Sequence, residues 1–202
     1  MSPMVPHLDL ESLGWTGDLD RQFTPLAAQG LEPGRVALEH MHIYRVLAGQ
    51  GQVLARLAGR LRHGATSAID YPAVGDWVAL GFRPGEARAS IHAILPRRSR
   101  FSRKVPGDQT QEQVVAANID TVFLATGLDD NYNLRRIERY LVTAWESGAQ
   151  PVVLLTKADL CGDADARRRE AEGVSAGAPV LVTSARRGEG LGALGPYLTP
   201  GA

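Results

Sequence analysis

The chain has 202 residues, 44% hydrophobic and 22% charged, with 22 basic against 22 acidic side chains and a net charge of zero. That composition excludes a disordered or fibrous chain and fits one or two globular domains, and the neutral balance means that any nucleic-acid contact must rest on a local basic patch. A single cysteine, Cys161, excludes an internal disulfide and fits a reducing cytoplasm, while no secretory leader and no apolar run long enough for a spanning helix is visible.

In chain order, residues 1–32 are mildly acidic, with Asp9, Glu11, Asp18 and Asp20 against Arg21, and carry helical patterns at 8–13 and 18–29. From Gly34 the pattern changes to five short strands, at 35–39, 42–47, 52–58, 76–82 and 89–95. Gly, Pro or Asn/Asp bound each of them, as in Ala48-Gly49-Gln50-Gly51 and Arg83-Pro84-Gly85-Glu86. Such a run predicts a small β barrel, with the OB-fold first and an SH3-like barrel as the alternative. The domain division expected is 1–32 as an N-terminal extension, 33–106 as the barrel and 107–202 as an α/β unit.

The period changes again after Pro106-Gly107-Asp108. Residues 119–126 read as a buried strand, and Leu134, Ile137, Leu141, Ala144 and Trp145 mark one helix face up to a stop at Gly148. A strand at 151–155, a charged helix at 165–172, a strand at 180–183 and a helix at 191–198 follow. This alternation predicts a parallel α/β sheet. With only three strands, 119–126 is expected to present an open edge, and the sequence is expected to be part of a longer protein.

The most informative residues are Thr156-Lys157-Ala158-Asp159, directly after the apolar run Pro151-Val152-Val153-Leu154-Leu155. A carboxylate at the fourth position accepts from guanine N1–H and the N2 amino group, a donor pair that adenine lacks. The lysine stem can lie along the base and sugar. A second strand, Pro179-Val180-Leu181-Val182-Thr183, ends in Ser184-Ala185, where small side chains let a backbone N–H approach guanine O6. The phosphate cradle G-x-x-x-x-G-K-[ST] is not met: the two lysines, Lys104 and Lys157, follow Arg103 and Thr156.

Several segments together resemble the ribosome small subunit-dependent GTPase A family. They are Pro72-Ala73-Val74-Gly75-Asp76-Trp77-Val78, Ile94-Leu95-Pro96-Arg97-Arg98-Ser99 and Val115-Ala116-Ala117-Asn118-Ile119-Asp120-Thr121-Val122-Phe123. Thr126-Gly127-Leu128-Asp129-Asp130, Asn133-Leu134-Arg135-Arg136-Ile137-Glu138-Arg139-Tyr140-Leu141 and Thr-Lys-Ala-Asp complete the set. The resemblance implies an OB-fold barrel followed by half of a circularly permuted P-loop GTPase sheet, ending before the P-loop, the switches and a zinc domain. It implies a cytoplasmic, monomeric GTP-hydrolysing factor that assists late maturation of the 30S subunit and contacts its 16S rRNA, without a membrane. GTP or GDP would sit on Thr156, Lys157, Ala158, Asp159, Ser184 and Ala185, with Mg2+ and Zn2+ expected only in the full-length protein and no catalytic residue in this chain. Thr156 stands where many members have Asn. The alternative function is a non-catalytic RNA- or ribosome-binding barrel with a degenerate nucleotide site.

The run from Arg97 to Lys104 carries Arg97, Arg98, Arg100, Arg103 and Lys104 around Phe101, a pattern suited to phosphate contact and base stacking. The competing reading is a solvated basic linker. Arg60 and Arg62 are weaker candidates beside a loop at 61–64. His40 and His42 are expected on one strand face as ordinary barrel residues, Trp77 and Trp145 in the core, and Cys161 as a small filler. Asp129-Asp130 reads as turn and capping chemistry in preference to a magnesium site.

Overall fold

The computed structural model describes residues 8–83, 88–104 and 112–201. The chain forms two compact units, Met1–Asn118 with Gly201, and Ile119–Pro200 with Ala202. Arg103 and Lys104 are described as backbone only, and the turn at Pro84-Gly85-Glu86 and the Pro106-Gly107-Asp108 breakpoint lie outside the described residues.

In the first unit a 3₁₀ turn, Glu11–Leu13, precedes helix α1, Gly17–Ala27, which Thr16 caps by accepting from the Leu19 N–H. Strands β1 (Glu32–His40), β2 (Ile43–Ala48), β3 (Gly51–Leu57), β4 (Trp77–Gly81) and β5 (Ala89–Ile94) close into a barrel of order β1-β2-β3-β5-β4. β1 pairs with both β2 and β4, and β3 pairs in parallel with β5, so every barrel strand has two neighbours. Alternation sends Val36, Tyr44, Val46, Ala55, Val78, Leu80 and Ile91 inward. β4 is buried on both faces: Trp77 and Ala79 face outward under α1 with Leu19, Phe23 and Leu95. Trp15 meets Phe23 and Trp77 edge-on at 5.7 and 4.8 Å.

Between β3 and β4 lie a short helix, α2 (Gly59–Gly64), where a loop is expected, and a 3₁₀ turn, Ala68–Asp70. The basic run is not a linker. Strand β6 (Arg100–Lys104) pairs antiparallel with β7 (Glu112–Ala117), with a bulge between Phe101 and Ser102. β7 then passes so close to the turn before β4 that a Cβ on Gly75 (φ +89°) would lie 2.0 Å from the Ala117 carbonyl oxygen. Only glycine tolerates both that backbone and that approach.

His40 and His42 do not share a strand face. His40 ends β1, and Met41 and His42 form a two-residue turn with φ of 50° and 60°. Two positive φ values are what a tight hairpin requires, and they take His42 off the strand.

In the second unit β8 (Thr121–Gly127), α3 (Leu134–Glu146), β9 (Gln150–Thr156), α4 (Ala164–Val174) and β10 (Val180–Val182) build a parallel sheet of order β10-β9-β8. Ile137, Leu141 and Ala144 of α3 and Ala171 of α4 join Leu124, Val153, Leu155 and Val180 in one core, so both helices cover the same sheet face. Among the described residues β8 pairs with β9 alone, which is the open edge expected from the strand count. Trp145 is 48% exposed, contrary to its reading as core. It stands one position beyond Ala144, about 100° round the helix and off the buried stripe. The last element is a 3₁₀ helix, Leu191–Tyr197, where an α-helix is expected. Gly192, Gly195 and Pro196 weaken an α-helix, and Tyr197 instead packs edge-on against Phe123 at 5.9 Å.

Candidate guanine-reading site

The C-terminal ends of three parallel strands converge, which is where open α/β sheets place their ligands. At the end of β9 the chain turns sharply because Lys157 adopts a left-handed conformation, φ 59° and ψ 38°, and a 3₁₀ turn, Ala158–Leu160, follows. Backbone bonds fix this turn between its neighbours. The Leu128 N–H donates to Thr156 O at 2.8 Å, and the Ala158 N–H donates to Thr183 O at 3.1 Å. The Thr156 hydroxyl donates to Thr126 O at 3.2 Å, so the threonine ties β9 to β8 through its own short side chain.

The two sequence motifs meet at one hydrogen bond: the Ser184 hydroxyl donates to Asp159 Oδ1 at 2.6 Å. Ser184 is fully buried, and its backbone exchanges two bonds with Glu189 at 2.9 and 3.0 Å. The Ser184 oxygen in turn accepts from the Arg187 N–H at 3.2 Å. The donor hydroxyl is therefore held at both its backbone and its oxygen, and it orients the half-buried Asp159 carboxylate. That bond holds Asp159 below the usual carboxylate range, burial works against it, and the Arg186 and Arg187 charges help. An ionised carboxylate with one oxygen so anchored is the acceptor that a guanine N1–H and N2 amino group require.

Lys157 points its ammonium at Asp129, with Nζ 2.5 Å from Oδ2. The hydrogen bond between them raises the lysine and lowers the aspartate from their ordinary values. Asp129 Oδ1 also accepts from the Asn131 N–H at 3.1 Å. Arg136 clamps the same loop by donating to Asn131 Oδ1 at 2.8 Å, to Thr126 Oγ1 at 3.0 Å and to the Asn131 carbonyl. Sequence reasoning anticipated the turn chemistry of Asp129, yet α3 is capped by Asn133. The pairing of Asp129 with Lys157 spans 28 positions and has no local signal. Cys161 is half-buried against the second unit's core, as a filler would be.

The basic residues of the first unit divide into two groups. Arg97 is spent inside the fold: it forks onto Asp76 at 2.8 and 2.7 Å and donates to the Ile69 and Tyr71 carbonyls at 2.9 Å each. Its side chain is 13% exposed and Asp76 is fully buried, so Arg97 is corrected from RNA contact to structural clamp. Arg98 and Arg100 are exposed and Phe101 is half-buried, but the facing strand carries Glu112 at 4.0 Å from Arg100. The side chains of Arg103 and Lys104 lie outside the described residues. Arg60 and Arg62 are exposed on α2. No three His, Cys, Asp or Glu side chains gather into a metal cage among the described residues.

Comparison with known proteins bears on this geometry. The family model described as RsgA GTPase matches residues 94–202. The small ribosomal subunit biogenesis GTPase RsgA of Opitutus terrae is 48% identical over 204 residues, covering 96% of this chain and 55% of that protein. The protein of the same name from Syntrophotalea carbinolica is 41% identical with the same coverage. The chain thus spans little more than half the length of the curated relatives it matches. Among solved structures, that of YjeQ from Thermotoga maritima matches 83% of this chain and 57% of its own, with a TM-score of 0.63 and 26% identity. The structure of YloQ, a circularly permuted GTPase, shares the fold at a TM-score of 0.56 over 77% of this chain and 52% of its own, with 19% identity. With the matched segment covering more than half of the chain, this protein belongs to the RsgA GTPase family.

Proposed function

We propose that this chain is the guanine-reading part of a GTP-binding, GTP-hydrolysing factor that acts in small ribosomal subunit biogenesis. The observation that carries the reading is the 2.6 Å bond from Ser184 to Asp159, which joins the two strand-end motifs into one acceptor site. Asp159 accepts from guanine N1–H and N2, Lys157 lies along the base, and the Ala185 backbone faces O6, the neighbouring Ser184 N–H being bonded to Glu189. Thr156 and Ala158 hold the turn. No Gly-Lys-Ser/Thr phosphate cradle occurs in these 202 residues, so base recognition and hydrolysis are separable, and this stretch alone does not turn over GTP. Mg2+ and Zn2+ belong with a longer version of the protein.

The barrel at 33–106, preceded by its extension at 1–32, is the ribosome-facing part, and the nucleotide part, expected from 107, has its compact unit from Ile119. Arg98, Arg100, Phe101, Arg103 and Lys104, with Arg60 and Arg62, contact 16S rRNA of the 30S subunit. The relatives' name as small ribosomal subunit biogenesis GTPases supports this partner. No described helix is long and apolar enough to cross a membrane, and action on ribosomal subunits is the ground for reading the protein as a cytoplasmic monomer.

Chemical-shift titration of the chain with GDP, GTP and ATP tests the reading, because it registers weak binding. Guanine nucleotides are expected to shift residues 156–159 and 184–185, and ATP is not. Equal responses to GTP and ATP would remove Asp159 from its role. An Asp159→Asn variant should lose the guanine preference, since its amide nitrogen is a donor facing a donor.

A further inference from the structure

The first unit contains a cleft of about 910 Å³ that base recognition does not use, between the β1–β2 turn, the 65–74 segment and β7. Its described lining includes two carboxylates, Glu39 and Glu112, and neither a lysine nor an arginine, in a chain with 22 of them. Among the described side chains of the lining, phosphate oxygens brought here would meet two acids and no lysine or arginine. The described lining therefore favours a cation over a phosphate.

Tyr44 lines the cleft, is fully buried, and its hydroxyl has no hydrogen-bond partner among the described residues. A buried polar atom left unpaired is costly, and a ligand that supplies the missing bond recovers that cost. Burial, then the charges of Glu39, Tyr71 and Asp76, push the Tyr44 phenol up to about 12, so it keeps its proton at neutral pH. The Glu39 charge that opposes a phenolate favours a cation. The His42 ring lies 5.4 Å from that of Tyr71 at an interplanar angle of 38°. His42 reaches that position from the positive-φ turn that closes the β1–β2 hairpin.

We infer that this cleft binds a basic peptide segment of a partner protein through an arginine side chain. The guanidinium is balanced by Glu39 and Glu112, donates to the Tyr44 oxygen and stacks on the His42–Tyr71 pair. Glu39 Oε1 accepts from the His42 N–H at 3.0 Å, and Glu112 stands 4.0 Å from Arg100, an exposed pair that exchanges readily. Arginine is favoured over lysine because a planar, weakly hydrated cation can both stack and donate in several directions. This inference is independent of the guanine-reading proposal.

The test is an NMR titration of the 202-residue chain with a peptide of alternating arginine and glycine. The same peptide with citrulline for arginine and a uridine hexanucleotide serve as comparisons. Shifts are expected in the β1–β2 turn, the 66–71 segment and 112–115 with the arginine peptide only. Joint replacement Glu39→Gln and Glu112→Gln should weaken binding by roughly tenfold. Tyr44→Phe should weaken it by about threefold while leaving the melting temperature unchanged or higher, because it deletes a hydroxyl that the free protein does not satisfy. No shift at millimolar peptide, full affinity in the doubly neutralised variant, or cleft shifts caused by the oligonucleotide and not the peptide would each overturn the inference.

Discussion

Two aspartates in the two units show how differently these regions use the same side chain. Asp76 is fully buried in the barrel unit, accepts from Arg97 Nε and Nη2 and from the Ala73 N–H at 2.7 Å, and has its acceptor capacity used within the fold. Asp159 is half-buried at the end of a sheet strand, and one of its oxygens takes a single strong bond from Ser184. The Asp76 carboxylate is enclosed by the barrel unit, and protein donors meet it there. Among the described residues the sheet is open along β8, and at its strand ends the Asp159 carboxylate is only half-buried. Acid type alone does not mark a site; the two carboxylates differ in how far the fold already satisfies them.

The largest expected effect tests the structural side of this contrast. Asp76→Ala leaves Arg97 charged and nearly buried without its partner, and should destabilise the first unit by about 3–5 kcal/mol in urea unfolding. Asp159→Ala, which removes the acceptor of the Ser184 hydroxyl alone, should shift the urea midpoint much less than Asp76→Ala. Similar midpoints for the two variants would erase the distinction.

On the ligand side, Asp159→Asn should lower the preference for guanine over adenine nucleotides by roughly tenfold or more, read from titrations at constant salt. Ser184→Ala should have a smaller effect on affinity, about threefold, because the acceptor survives but loses its anchor. It carries a pH signature as well. Asp159 is held low chiefly by the Ser184 bond, so the stabilisation from that bond is complete above the ordinary carboxylate value, about 4, and is lost as pH falls through the depressed folded value. Ser184→Ala should move the Asp159 titration, followed by carboxyl carbon shift, back upward. A titration that stays depressed would reassign the cause to Arg186 and Arg187.

The smallest effect sharpens the role of Asp129. Its bond to Lys157 is exposed enough that Asp129→Asn should change nucleotide affinity by less than about twofold. The lysine should nevertheless titrate lower, since Asp129 is what raises it. Side-chain nitrogen shifts of Lys157 against pH would show this.

Much of the fold could be read from local pattern. The five barrel strands, the stripe Leu134–Ile137–Leu141–Ala144 and the Thr-Lys-Ala-Asp turn each carry their information within a few residues, because strand and helix periods are local properties. The β6–β7 hairpin was less legible: a run dense in arginine reads as a solvated segment, and its pairing with 112–117 is a non-local choice. Trp145 was misread for a related reason, since hydrophobic identity places a residue near a stripe without saying whether it falls inside the contact arc.

The amino-acid sequence by itself determined the order of barrel and α/β unit, the residues at the strand ends and the family they resemble. Only the tertiary structure decided which charges are consumed by the fold. Arg97 and Arg98 are neighbours with the same chemistry, yet Arg97 is drawn inward by Asp76, 21 positions away, while Arg98 is exposed on the surface. Asp159 acquired its anchor from Ser184, 25 positions on. Such pairings depend on which backbone atoms the folded chain brings within hydrogen-bond reach, a long-range property that no local pattern encodes.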